Sequence, residues 1–137
     1  MTTLPTSKAQ LLEDFELFDT WEDRYAYLVD LGKRLPGLPD GEKTDANKVR
    51  GCTSQVWFVR RPSEAGRLGW AGDSDAIIVR GLVALLHVLT DGRTAAEIEA
   101  ADLDGVFAQL GLERHLSMNR RNGFVSMVNK LREWAAA

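Results

Sequence analysis

The segment Val49-Arg50-Gly51-Cys52-Thr53-Ser54-Gln55-Val56-Trp57-Phe58-Val59-Arg60 carries two readings at once. From Gln55 to Arg60 its β-branched and aromatic content is that of a β-strand. At the mouth of that strand, directly after a glycine, stands Cys52, the single cysteine among 137 residues. One thiol cannot close an internal disulfide, nor by itself supply a multi-cysteine metal site. A loop-to-strand junction keeps a thiol in a fixed frame yet within reach of a partner. Lys48 and Arg50 flank it, and nearby positive charge favours the thiolate, the nucleophilic form. The plainer reading is a small buried hydrophobe, the ordinary fate of a lone cysteine.

Working outward toward the N-terminus, Leu11, Leu12, Phe15 and Phe18 recur at helical spacing and predict a helix over 7–18. Thr20, with Asp23 three residues on, resembles a capping box and opens a second helix that Pro36 stops. Trp21, Tyr25, Leu28, Leu31 and Leu35 form its expected inner stripe. Residues 36–47 have no period and are rich in turn formers, so they read as a long loop leading to Cys52. Long loops inside compact domains are often functional.

Toward the C-terminus, residues 62–66 read as a turn and Arg67–Ala71 as a returning antiparallel strand. Gly72-Asp73-Ser74-Asp75 reads as a sheet breaker that supplies helix-capping side chains. Residues 76–90 are apolar almost all round, the mark of a buried helix, and Gly92 suits its C-terminal end. Short helices are expected at 94–100 and 103–110. A last helix, capped by Ser117 and running through Trp134, would face inward with Phe124, Val128 and Leu131. The order α, α, β, β, then several α predicts an α+β fold. In it a small antiparallel β-sheet, with a further strand available from 47–51, packs against several α-helices in one domain over 1–137.

Composition narrows the function classes. The chain is 45 % hydrophobic and 27 % charged, with 17 Lys and Arg against 20 Asp and Glu, for a net charge of −3. It reads as an ordinary soluble protein without the basic footprint of a nucleic-acid binder. The polar N-terminus lacks a signal-peptide core, and the run from Gly81 to Leu89 is too short to span a bilayer, so no membrane role is expected. One unpaired cysteine suits the reducing cytoplasm. His87 and His115 are the only histidines and give no zinc-ligand spacing. His87 reads as an edge residue of the buried helix. A Cys–His hydrolase with His115 as base lacks a third group and an oxyanion site. Arg120-Arg121 reads by default as a solvated face. For Asp75 and its neighbours the alternative to capping is a helix N-terminus that lowers the thiol pKa.

Taken together, the motifs are specific. Gly51-Cys52-x-Ser54-Gln55-Val56-Trp57 is followed by Gly72-Asp73-Ser74-Asp75-Ala76 and an apolar helix, then by His115-Leu116-Ser117-x-x-Arg120-x-x-Gly123. Upstream lie Trp21-Glu22-x-Arg24-Tyr25 and Leu31-Gly32-x-Arg34-Leu35-Pro36. This pattern, over about residues 8–134, resembles the SufE family of sulfur-acceptor proteins, which includes the CsdE proteins. Thr53 and Met118-Asn119 are small departures at places where the pattern is loose.

The resemblance implies a SufE/IscU-like fold with the cysteine at a loop tip against an apolar pocket. It implies a SufS- or CsdA-type cysteine desulfurase as partner, whose persulfide sulfur passes to Cys52 and thence to a SufBCD-type cluster scaffold. Pyridoxal phosphate would belong to the desulfurase, leaving this chain without a cofactor or metal. Gly51, Gln55, Asp75 and Arg120 are implied as supports of the loop or pocket. A monomer or weak homodimer is expected. Two other functions stay open: a non-covalent allosteric activator of a desulfurase, and a thiol redox sensor.

Overall fold

A computed structural model describes residues 4–136; residues 1–3 of the polar N-terminal stretch and residue 137 lie outside the described residues. The element order is α1 (Lys8–Glu16), α2 (Trp21–Arg34), β1 (Val56–Arg60), β2 (Arg67–Leu68), β3 (Trp70–Ser74), α3 (Ile77–Thr90), β4 (Arg93–Thr94), α4 (Ala95–Ala101), α5 (Leu103–Gln109), α6 (Leu112–His115) and α7 (Met118–Ala136). The fold is α+β, as the order of predicted elements requires.

Helix α3 is the axis. Apart from Ile77, Arg80 and His87 its residues are buried, and α2 lies along it more closely than any other helix. That approach needs glycine on both sides. A β-carbon on Gly32 would sit 2.9 Å from the Gly81 nitrogen, and one on Gly81 would collide with the Leu28 carbonyl. Thr20 caps α2 by accepting from the Asp23 amide at 3.2 Å, as its spacing predicts. The inner stripe differs by one position. Tyr25 is exposed and Tyr27 is buried, its hydroxyl donating to Asp14 at 2.6 Å, because α1 packs on that flank.

The strands form two antiparallel pairs among the described residues, β1 with β3 and β2 with β4. The register of the first pair runs from Val56 opposite Ser74 to Arg60 opposite Trp70. The expected returning strand is therefore split at Gly69, and the expected sheet breaker 72–75 is mostly strand. Ser74 ends β3, and Ala76, which has no capping side chain, precedes α3. The reason lies in Asp73, only 2 % exposed. Its carboxylate accepts from the Leu38 amide at 3.0 Å and from Arg80 at 2.5 Å, with Lys43 at 3.6 Å. Arg80 also donates to the Gly32 and Leu35 carbonyls, each at 2.7 Å. This ion pair, with its carboxylate buried and fully partnered, ties the long loop, β3 and α3 to the end of α2.

The loop 36–47 contains two short 3-10 turns, Asp40–Glu42 and Asp45–Asn47. Glu42 pairs with Arg61 just beyond β1, and that guanidinium holds the carboxyl below its usual range. His87 is an edge residue as expected, with Nε2 3.0 Å from the Trp70 carbonyl. Helix α6, four residues after Gly111, is an element that the periodicity of the sequence does not predict. The inner face of α7 is the expected Phe124, Val128 and Leu131 together with Met127. Among the described residues no helix is long and apolar enough to cross a membrane.

Candidate functional site

Cys52 lies at the tip of a narrow hairpin. Its base is closed where the Val49 amide donates to the Val56 carbonyl at 2.8 Å and Lys48 pairs with Trp57 in a single antiparallel bridge. The further strand expected from 47–51 is thus one bridge. Val49 and Val56 are buried, so the base belongs to the core, while Arg50, Gly51 and Thr53 keep much of their surface exposed.

Two of the expected supports meet at this base. Asp75 Oδ1 accepts from the Gln55 amide at 3.1 Å and Oδ2 from Gln55 Nε2 at 3.4 Å, while the Asp75 amide donates to the Gln55 carbonyl at 3.2 Å. The Ser74 hydroxyl donates to the same carbonyl at 2.7 Å. Asp75 therefore clamps the hairpin to the end of β3, in place of the capping role its sequence context predicts. Gly51 has φ +91°, a conformation that glycine adopts without strain.

The thiol rests on α7. Sγ lies 3.6 Å from the Gly123 carbonyl, and a β-carbon on Gly123 would be 3.4 Å from Sγ. Beside it is a cavity of about 30 Å³ lined by the loop residues Cys52–Ser54 and by Val79, Asn119, Arg120, Gly123 and Met127. That is room for about one water-sized group. Arg120 reaches the site as part of this wall, and its backbone amide donates to the Ser117 hydroxyl at 3.3 Å, which starts α7.

The electrostatics overturn one expectation. Lys48 is paired with Asp45 at 3.6 Å, and Arg50 donates to the Asp45 carbonyl at 3.5 Å, so both flanking cations are engaged with Asp45. Partial burial against α7 pushes the Cys52 thiol up, because desolvation disfavours the thiolate. His115 is far from a base's role here; its ring stacks on Trp21 at 4.5 Å.

Three wall residues, Val79, Asn119 and Met127, and the loop's neighbour Ser126 are not among the site residues that the sequence singles out. Gly123 belongs to the motif, but nothing in the motif gives it a role. The usable signal for α7 is its helical spacing: 119, 123 and 127 share a face.

Residues 9–135 match the family described as SufE, Fe-S metabolism associated domain. A SufE-like protein of Rhizobium meliloti (strain 1021) is 44 % identical over 133 residues, covering 95 % of each chain. Another, from Rhizobium etli, is 47 % identical over 129 residues, covering 92 % of this chain and 87 % of its own. The solution structure of a hypothetical protein from Thermus thermophilus has the same fold, with a TM-score of 0.73 at 20 % identity over 98 % of this chain and 96 % of that one. A family match over nearly the whole chain, joined to relatives above two-fifths identity at similar coverage, means that this chain belongs to the SufE family, associated with Fe–S metabolism.

Proposed function

We propose that this protein is a cytoplasmic sulfur acceptor whose working group is Cys52. The observation that carries the reading is the position of that thiol, at the tip of a hairpin, partly shielded over a cavity of about one atom group. The proposed step is thiol exchange. The Cys52 thiolate attacks the sulfane sulfur of a persulfide on a pyridoxal-phosphate-dependent cysteine desulfurase. The bond between that sulfur and the desulfurase cysteine breaks, and a new S–S bond forms on Cys52. The desulfurase cysteine leaves as a thiolate and takes up the proton that Cys52 gave to solvent, so no net oxidation occurs. Such exchange needs a thiolate but no metal or acid–base pair. The pyridoxal phosphate stays with the desulfurase, and a cluster-assembly scaffold receives the sulfur in the next exchange.

The raised pKa supports a withdrawn resting state. A shielded, protonated thiol is a poor nucleophile, and drawing the loop out of its seat removes the desolvation that holds the proton.

The test is whole-protein mass after incubation with a cysteine desulfurase, pyridoxal phosphate and cysteine. Cys52 gains one sulfur atom, dithiothreitol removes it, and Cys52→Ser gains none. Full stimulation of the desulfurase with no mass change, matched by Cys52→Ser, would make the protein an allosteric activator instead. Reaction with peroxide and none with the desulfurase would make it a redox sensor.

A further inference from the structure

The hairpin base is held by several hydrogen bonds, whereas its tip has the weak Cys52 Sγ–Gly123 carbonyl bond at 3.6 Å and packing between very small groups. Gly51, at φ +91°, stands against Ser126: a β-carbon at 51 would overlap the Ser126 hydroxyl oxygen and come within 3.3 Å of Ser126 Cβ. One turn earlier on the same helix, Gly123 lies under Cys52, where an added β-carbon would be 3.4 Å from Sγ and 3.7 Å from Cβ. Residues 51–52 therefore lie directly on the 123–126 step of α7, glycine against serine and cysteine against glycine.

We propose that Ser126 is the stop on which the cysteine loop closes, a positioning residue that sets how deeply Cys52 is withdrawn. The inference rests on the sulfur-acceptor reading for its purpose, though not for its test. Gly51 is needed at the tip for two reasons, its backbone angle and the absence of any side chain toward α7. Ser126 is partly buried beneath it. Interiors packed this closely do not absorb added atoms, so a larger group at either position displaces the lighter partner. The lighter partner is the loop, because α7 is fixed by Phe124, Met127, Val128 and Leu131 in the core. The displaced loop carries Cys52 away from Val79 and Met127, and the thiol regains solvent.

The test uses the full-length protein alone, with iodoacetamide as probe and no desulfurase. Ser126→Leu should raise the alkylation rate of Cys52 about ten-fold, the scale of an overpacked contact. Its pH midpoint should also fall toward that of a free thiol, which a merely structural effect elsewhere would not produce. Gly51→Ala should act in the same direction. Ser126→Val, a smaller addition at the same place that leaves the Gly51 backbone untouched, should raise the rate by a lesser, several-fold amount. Wild-type rates and midpoints in folded Ser126→Leu would overturn the proposal. Should that variant fail to fold, Ser126→Val decides, and a wild-type rate and midpoint there would overturn the proposal equally. A wild-type protein that never takes sulfur from a desulfurase would sink the function above and leave these rates unchanged.

Discussion

Asp75 grips Gln55 at three points, two through its carboxylate and one through its backbone amide, and so fastens the cysteine loop to the end of a strand twenty residues away. Asp75→Ala removes the two carboxylate bonds and leaves the backbone one. Both residues are exposed, so the expected loss of stability is about 1 kcal/mol. The larger effect is expected at the tip, as a several-fold faster alkylation of Cys52. Thermal melting and iodoacetamide kinetics together check this, and an unchanged rate would show that the tip is held without its base.

The pH dependence of Cys52 follows from the direction of its shift. Burial raises the folded pKa above the roughly 8.5 of a free thiol. Below that value both folded and unfolded chains hold the proton, and the group has no effect on stability relative to that reference. As pH rises past it, the unfolded chain ionises first while the folded chain still holds its proton, so stability falls through this window. The alkylation midpoint should lie above 8.5 or so in the native protein and near that value in urea. Cys52→Ala should flatten the alkaline decline in stability.

Asp73→Ala should be more damaging than Asp75→Ala. It leaves Arg80, Lys43 and the Leu38 amide without their carboxylate at a position only 2 % exposed. Arg80 and Lys43 are part-exposed, so the cost is that of lost charge-assisted hydrogen bonds, about 2 kcal/mol or more. Urea denaturation should show a lower midpoint with an unchanged slope.

Gly81→Ala should destabilise the protein by about 2 kcal/mol or more even though alanine is the better helix former. The added β-carbon meets the Leu28 carbonyl, which is backbone and cannot turn away. Gly41→Ala, with nothing within 4 Å of the added carbon, is the control and should be nearly neutral. Equal melting temperatures for the two variants would contradict the close crossing of α2 and α3.

Much of this is readable in the chain because the signals are local. Thr20 announces a helix start, the apolar run after Ala76 announces the central helix, and Val56–Arg60 has the content of a strand. Cys52 stands out because it is alone. What is unreadable depends on distance along the chain. Asp73 looks like a capping residue until Leu38 and Arg80 are seen to meet it, and a buried partner turns a turn former into part of a strand. The Asp75–Gln55 clasp exists only in the register that sets Val56 opposite Ser74. Ser126 has no feature in the sequence that points to Gly51. Lys48 and Arg50 mislead for a different reason: Asp45 is close in sequence, and it engages both before the thiol can.

The closure of the hairpin at Val49 and Val56 has a consequence for engineering. Its two arms leave the body side by side, joined by a 2.8 Å backbone bond, and the register of β1 with β3 lies on the body's side, with Gln55 clasped to Asp75 at the threshold. The segment 50–54, short of the Gln55 clasp, is a cassette. Its length and cargo can be exchanged, for a longer tether, a selenocysteine or a metal-binding turn, while the scaffold that receives the graft keeps its own fold.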